Sequence, residues 1–290
     1  MHSLADFFTL LRANQWYKNL VIFIPVIFSL NLLRPELVFI SSLGFVSLCL
    51  VSSAYYIIND LADRKKDLLH PEKRRRAIAS GKVSAVPAIT LSVLLLAASL
   101  YLASMLSTVF LYAVAFIFFM SQLYTFFLKD EAFADVIAIA ISFMVKAISG
   151  IFIIWAQFSL WLIVCTFFLA LLLGFGKRRF ELIMLGKKAA QHKPVLRHYS
   201  TAILDSIVTI SAAGLLIAYS LYSILAGNHL LITTIPFAFY LIARYISLIY
   251  TGSAISGNPE KIFTDARMML GLALWAASVV VILYSAKFFG

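Results

Sequence analysis

Nine runs of about twenty apolar residues confine this chain to one environment. A helix needs about 20 consecutive apolar residues to cross the hydrocarbon of a bilayer. The runs fall at roughly 17–33, 37–58, 86–106, 108–128, 133–155, 159–176, 204–226, 230–250 and 268–288. Breaker-rich stretches such as Arg34-Pro35-Glu36 and Gly257-Asn258-Pro259 separate them. The first run is the shortest and contains Pro25, so a kink is expected there. With 62% hydrophobic and 13% charged residues, the composition excludes an ordinary soluble domain. The fold class expected is an all-α integral membrane protein of about nine transmembrane helices, with residues 1–290 forming one transmembrane domain. No cleavable signal peptide is read at the N-terminus. Cys49 and Cys165 lie inside apolar runs and read as small core residues rather than a disulfide or metal site.

Charge sets the expected orientation. All of the 24 lysines and arginines except Arg34, Lys146, Arg244 and Lys287 cluster before the first run or in alternate connections. The positive-inside rule then puts the N-terminus and the two long charged segments, about 59–85 and 177–203, in the cytoplasm and the C-terminus outside. The net charge of +11 is read as this asymmetry and as sites for anionic ligands, not as nucleic-acid binding.

The segment beginning Asn59-Asp60 is the most informative. Asp60, Asp63 and Asp67 are spaced i, i+3, i+7, which places them on one face if the second run continues as a helix. Carboxylates that close repel unless a cation holds them, and hard oxygen ligands suit Mg²⁺ completed by substrate phosphates. The same residues also suit a solvated helix end paired with Arg64 and Lys65. Lys73, Arg74, Arg75 and Arg76 follow. Guanidinium forks bind phosphate oxygens bidentately. Anchoring at the cytoplasmic surface is the other role open to Arg74 and Arg75, and less so to Arg76.

This stretch resembles the first motif of the UbiA superfamily of membrane-embedded transferases, N-D-x-x-D-x-x-x-D, here Asn59-Asp60-x-x-Asp63-x-x-x-Asp67. Other segments resemble the decaprenyl-phosphate phosphoribosyltransferase branch. They are Arg12-Ala13-Asn14-Gln15-Trp16-Tyr17-Lys18-Asn19, then His70-Pro71-Glu72-Lys73-Arg74-Arg75-Arg76-Ala77-Ile78-Ala79-Ser80-Gly81, then Tyr124-Thr125-x-x-Leu128-Lys129 with Asp135, Lys146 and Gly150. Lys177-Arg178-Arg179-Phe180-Glu181-Leu182 and Arg197-His198-Tyr199 follow. Ala13 and Ala77 stand where that branch usually has proline, and Lys146 where it has arginine.

The resemblance implies a UbiA-like helical bundle with its active site at the cytoplasmic side of a bacterial or archaeal membrane, and a role in cell-wall building. It implies Mg²⁺-dependent transfer of 5-phosphoribosyl from 5-phosphoribosyl 1-diphosphate to a polyprenyl phosphate, releasing diphosphate. Asp60, Asp63 and Asp67 are the expected metal-binding catalytic residues. Lys18, Asn59, Arg76, Tyr124, Lys129, Asp135, Lys146, Lys177, Arg178 and Glu181 are the expected substrate-binding residues. A homo-oligomer is compatible with this reading. Family prenyltransferases that alkylate aromatic acids carry a second aspartate cluster in the connection that here holds Lys177, Arg178, Arg179 and only Glu181. A prenyltransferase is therefore the alternative, and a transporter a remote one. A transporter would place ionisable groups near the midplane of several helices; here nearly all sit at one edge. Asp135 also suits a helix N-terminus, Lys146 an ion pair with Asp135, and Tyr124 an interfacial aromatic belt. His2, His70, His192, His198 and His229 are scattered and read as local or structural.

Overall fold

A computed structural model describes residues 9–68, 73–157, 159–186, 189 and 193–289. Among them there is no strand, and eight helices are long and apolar enough to cross a membrane. These are α1 (Pro35–Ala62), α2 (Ala85–Leu106), α3 (Thr108–Leu123), α4 (Ala134–Ile154), α5 (Leu160–Leu185), α6 (Thr201–Leu225), α7 (Ile235–Tyr250) and α8 (Ala266–Phe289). A π-helical turn, Tyr124–Leu128, extends α3, and a 3₁₀ turn, His229–Thr234, leads into α7.

The first expected span departs from a regular helix. It is a 3₁₀ helix, Ala13–Phe23, followed by the short α-helix Ile24–Phe28. Pro25 near the start of the short helix has no N–H to donate, which suits a helix start better than a helix interior. A 3₁₀ helix rises about 2.0 Å per residue against 1.5 Å for an α-helix, so this short segment still covers about 30 Å. A second departure is at α5. The sequence reading ended the span near residue 176, but the helix continues through Lys177, Arg178 and Glu181 to Leu185. It stops at Gly186, whose φ of +50° lies in the left-handed region. Apolarity ends at the hydrocarbon edge, whereas helix propensity does not.

The chain divides into two compact units, Met1–Lys129 with Val145–Gln157, and Asp130–Met144 with Phe158–Gly290. In the first, α1 and α2 approach closely through small residues. Ser47 Oγ donates to the Ser99 carbonyl at 3.0 Å, and Ser99 Oγ to the Ser47 carbonyl at 2.8 Å. Small residues let membrane helices approach, and the serine hydroxyls find partners across the interface. Ile22, Val26, Leu48, Val51, Phe110 and Ile153 form the core of this unit. In the second unit, α5 and α6 form the main helix pair, and Val136, Leu172, Phe175, Leu204, Val208 and Ile249 form its core.

Gly150 is where the first unit tolerates least. A Cβ added there would stand 2.4 Å from the Ile22 carbonyl oxygen and 3.1 Å from Pro25 Cγ. A backbone oxygen cannot turn aside as a side chain can. Gly150→Ala is expected to destabilise the protein by about 1–3 kcal/mol, the usual cost of overpacking. Thermal unfolding in detergent checks this. An unchanged or raised Tm, as helix propensity alone would give, would refute the close approach.

Candidate active site

In the first unit α1 carries Asn59 and Asp60 on its last turn, Asp63 caps it, and the short helix Arg64–Leu68 carries Asp67. Backbone bonds run across the break: Asp63 N–H donates to the Asn59 carbonyl at 2.9 Å and Asp67 N–H to the Asp63 carbonyl at 2.8 Å. The face expected from the spacing is therefore nearly kept, but its carboxylates divide. Arg76 Nη1 donates to Asp60 Oδ1 at 2.9 Å and to Asp67 Oδ2 at 2.7 Å. Arg12 pairs with the same oxygen of Asp60 and lies over the Tyr56 ring. Asp63 is held instead by Lys129 Nζ at 2.6 Å. The cations seen on the cluster are thus Arg12, Arg76 and Lys129 rather than the Arg64 and Lys65 considered above.

Local sequence explains how these cations arrive. Ala77, Ile78 and Val83 are buried against Leu10, Ile57 and Ala88, so an apolar plug fixes the loop that carries Arg76. Gly81 turns that loop at φ +76°. Arg12 sits at φ +49° before the 3₁₀ helix. That helix is tied to α1 by Trp16 Nε1 donating to Ser53 Oγ at 3.1 Å and Ser53 Oγ donating to the Leu11 carbonyl at 2.7 Å. The π-turn after α3 closes with Lys129 N–H donating to the Tyr124 carbonyl at 3.0 Å, at the residue that meets Asp63. π-turns recur at functional sites. Asn59 Nδ2 donates to Thr125 Oγ1 at 3.1 Å and so ties α1 to the same turn.

A cavity of about 330 Å³ opens beside this cluster, lined by Arg12, Asp60, Arg75 and Arg76 together with Asn14 and Gln15. Three guanidiniums and two amides facing one space suit an anionic, oxygen-rich ligand. Arg75, which the sequence left between anchoring and binding, is on that wall. Among the described residues no group of three His, Cys, Asp or Glu forms a ready-made metal cage. Two carboxylates do converge on one cationic nitrogen, and Mg²⁺ keeps several waters and needs only one or two protein carboxylates. Asp60 and Asp67 therefore fit such an ion, with Asp63 near in sequence but turned to Lys129. Lys18 lies 5.9 Å from the centre of the Tyr17 ring. Lys146 is buried, donating to Asn19 Oδ1 at 2.8 Å and to Tyr55 Oη at 3.4 Å.

The second unit gathers a different set. Asp135, fully buried near the start of α4, accepts from Arg178 Nε at 2.7 Å and from the Tyr199 hydroxyl at 3.0 Å. Both carboxylate oxygens are thus engaged, and Asp135 steadies an arginine. The Tyr199 oxygen in turn accepts from the Phe133 N–H at 2.6 Å. Arg178 Nη1 donates to Glu181 Oε2 at 2.9 Å, and Lys193 Nζ lies 3.5 Å from the same oxygen. Half-buried Lys177 adds a third cation to this group. Arg179 does not. It pairs with Asp205, donates to the Ile249 carbonyl at 3.0 Å and lies 4.3 Å from the centre of the Tyr250 ring. Successive helical residues point about 100° apart, so Arg179 leaves the group that Arg178 organises. Sequence reasoning passed over Arg12, Asn19, Lys193 and Tyr199. All but Lys193 lie in the quoted motif segments; Lys193 gave no signal.

Burial pushes the Lys193 ammonium down to about 7; Arg178 adds to this and Glu181 opposes it. The amine is therefore neutral above about pH 7, whereas an ordinary lysine stays charged to about 10.4. Lys193 is expected to react with an amine-directed acylating reagent at pH 7.5 ahead of the other lysines. Glu181→Gln, which removes the opposing carboxylate, should move that reactivity to lower pH. Peptide mass spectrometry across pH 6–10 measures this; Lys193 titrating with the bulk lysines would refute the enclosed setting.

Comparisons with known proteins agree with this architecture. The model of the UbiA prenyltransferase family matches residues 22–254. Decaprenyl-phosphate phosphoribosyltransferase of Mycolicibacterium smegmatis is 29% identical, with 94% of this chain and 91% of that protein covered. The protein of the same name from Mycobacterium tuberculosis is also 29% identical, covering 93% and 91%. A solved UbiA homolog from Archaeoglobus fulgidus, bound to GPP and Mg²⁺, superposes with a TM-score of 0.74 at 21% identity, covering 96% of this chain and 99% of that one. At that identity it speaks to the fold alone. With the family model spanning most of its length, this chain belongs to the UbiA prenyltransferase family.

Proposed function

We propose that this protein transfers 5-phosphoribosyl from 5-phosphoribosyl 1-diphosphate to a polyprenyl phosphate and releases diphosphate. One observation carries the choice of donor and acceptor. The second unit offers Lys177, Arg178 and Lys193 around Glu181 and Asp135, both bonded to Arg178, where a second aspartate cluster would serve a prenyl donor. Two clusters able to neutralise phosphate suit two phosphorylated substrates. The names of the mycobacterial relatives support the same reaction.

The roles follow from chemistry. Arg12, Arg75 and Arg76 face a cavity and bind the oxygens of the donor diphosphate. Asp60 and Asp67, with Asp63 beside them in sequence, are the ligands that would hold Mg²⁺. When bound, the ion supplies positive charge against the departing diphosphate. The bond between ribose C1 and the diphosphate oxygen breaks, and C1 gains oxocarbenium character. An oxygen of the lipid phosphate forms the new bond from the opposite face, with inversion. That oxygen is already anionic at neutral pH, so no side chain needs to remove a proton. Lys177, Arg178 and Lys193 orient the lipid phosphate, with Arg178 fixed by Asp135 and Glu181. Asn59 and Tyr124 set the turn that delivers Lys129. Lys18 and Lys146 supply further cationic charge. The sites face the cytoplasm, where a soluble phosphoribosyl donor is available, with the N-terminus on that side and the C-terminus outside.

Purified protein given labelled phosphoribosyl diphosphate, Mg²⁺ and polyprenyl phosphate should place the label in lipid. Asp60→Asn should abolish this, as should EDTA on the wild type. Lys177→Ala should cost a charge-assisted contact of about 1.5–3 kcal/mol, roughly ten- to a hundred-fold in kcat/KM. Lys177 is the better target because truncating Arg178 would strand the buried Asp135, at about 3–5 kcal/mol of stability. Turnover of a prenyl diphosphate with an aromatic acid, and none of phosphoribosyl diphosphate, would establish the prenyltransferase instead.

A further inference from the structure

The aspartates proposed to bind a metal are already bound, and by the groups proposed to bind the anion. One nitrogen of Arg76 spans Asp60 Oδ1 at 2.9 Å and Asp67 Oδ2 at 2.7 Å, and Arg12 takes the same oxygen of Asp60. Both carboxylates are buried, at 5% and 3% exposure, so neither guanidinium can be shed to bulk water cheaply. Both arginines also line the 330 Å³ cavity, with Arg75 beside them. Arg76 is the more exposed of the two, its side chain 28% exposed against 18% for Arg12. A divalent cation and a guanidinium cannot hold the same oxygens at once. A guanidinium pulled off its carboxylates without a new anion would be left uncompensated at the edge of an apolar bundle.

From this we propose that Arg76, helped by Arg12, works by partner exchange. It holds Asp60 and Asp67 until metal and diphosphate arrive together. The carboxylate oxygens then pass to the cation, and the guanidiniums pass to the phosphate oxygens. Charge in the site stays balanced at each stage. The consequence is ordered specificity: metal alone binds poorly, diphosphate alone binds poorly, and each raises the affinity of the other. Such coupling is reciprocal and typically 5- to 150-fold. The device admits a metal–diphosphate complex and discriminates against either ion by itself. It rests on the reading above that a divalent cation and a diphosphate meet at this cluster.

The test measures binding rather than turnover, with Mn²⁺ and inorganic pyrophosphate as probes. Free Mn²⁺ is counted by its paramagnetic resonance signal, and pyrophosphate binding without metal by calorimetry. Arg76→Gln removes the competing charge, so Mn²⁺ alone should bind about tenfold more tightly than to wild type. Asp67→Asn releases Arg76, so pyrophosphate alone should bind about tenfold more tightly, while Mn²⁺ binding is lost. This crossed gain is the signature, because an ion pair that only holds the fold together would weaken both probes in both variants. Mn²⁺ binding lost in Asp67→Asn without any gain in Arg76→Gln would overturn the exchange and leave the metal reading standing. Mn²⁺ binding unchanged in both Asp60→Asn and Asp67→Asn would overturn the metal reading itself. If Arg76→Gln does not fold, the pyrophosphate arm in Asp67→Asn decides alone: no gain there refutes the exchange.

Discussion

Guanidinium–carboxylate pairing at the ends of apolar helices is the constraint on which the rest of this structure depends. A chain with thirteen acidic residues in a hydrophobic bundle cannot leave a buried one without a partner. Asp135 and Arg178, Asp60 with Arg12 and Arg76, and Asp63 with Lys129 each join residues far apart in sequence. Each pair therefore fixes two elements against one another. The ties that deliver the charges, such as Trp16 on Ser53 and the Ala77-Ile78 plug, are the ordinary packing that such pairing requires. On the proposed reading, binding chemistry and fold specificity share the same side chains here. A variant in either cluster will disturb both, and assays that separate folding from binding are needed to read it.

The two units spend their charges differently. In the first, the carboxylates on and just beyond α1 are answered by three cations, and a cavity lies beside them. In the second, Arg178 organises Asp135 and Glu181, and Lys193 is compressed into the same group. A carboxylate-led cluster suits a hydrated hard cation and the diphosphate it accompanies. A cation-led cluster suits a phosphate monoester that needs no metal. On the proposed reading that asymmetry, rather than the aspartate motif alone, favours phosphoribosyl over prenyl transfer.

Much of this was legible in the sequence because hydrocarbon thickness imposes one length on every span. The runs at 37–58, 86–106 and 133–155 match α1, α2 and α4 within a few residues. The first run misled because hydropathy sees composition and not the rise per residue, and a 3₁₀ segment ending at Phe23 covers its distance with fewer residues. The end of α5 was missed because hydropathy reports where lipid stops, not where the helix does. The aspartate spacing put Asp60, Asp63 and Asp67 on neighbouring turns but did not show their division between Arg76 and Lys129. That division depends on how the 73–83 loop and the π-turn fold back, which no periodicity encodes. Lys193 was invisible for the same reason: a lone residue in a connection acquires meaning only from what it packs against.

Donor choice can be read most directly from ligand-linked stability of the wild-type protein. A ligand at 100 times its Kd stabilises by about 2.7 kcal/mol, which for a chain of this size is a shift of several degrees in Tm. With Mg²⁺ present, phosphoribosyl diphosphate is expected to raise the unfolding temperature in detergent by that order, and geranyl diphosphate at the same concentration, which shares only the diphosphate, to raise it less. Stabilisation by geranyl diphosphate with Mg²⁺, and none by phosphoribosyl diphosphate, would contradict the assignment of the donor.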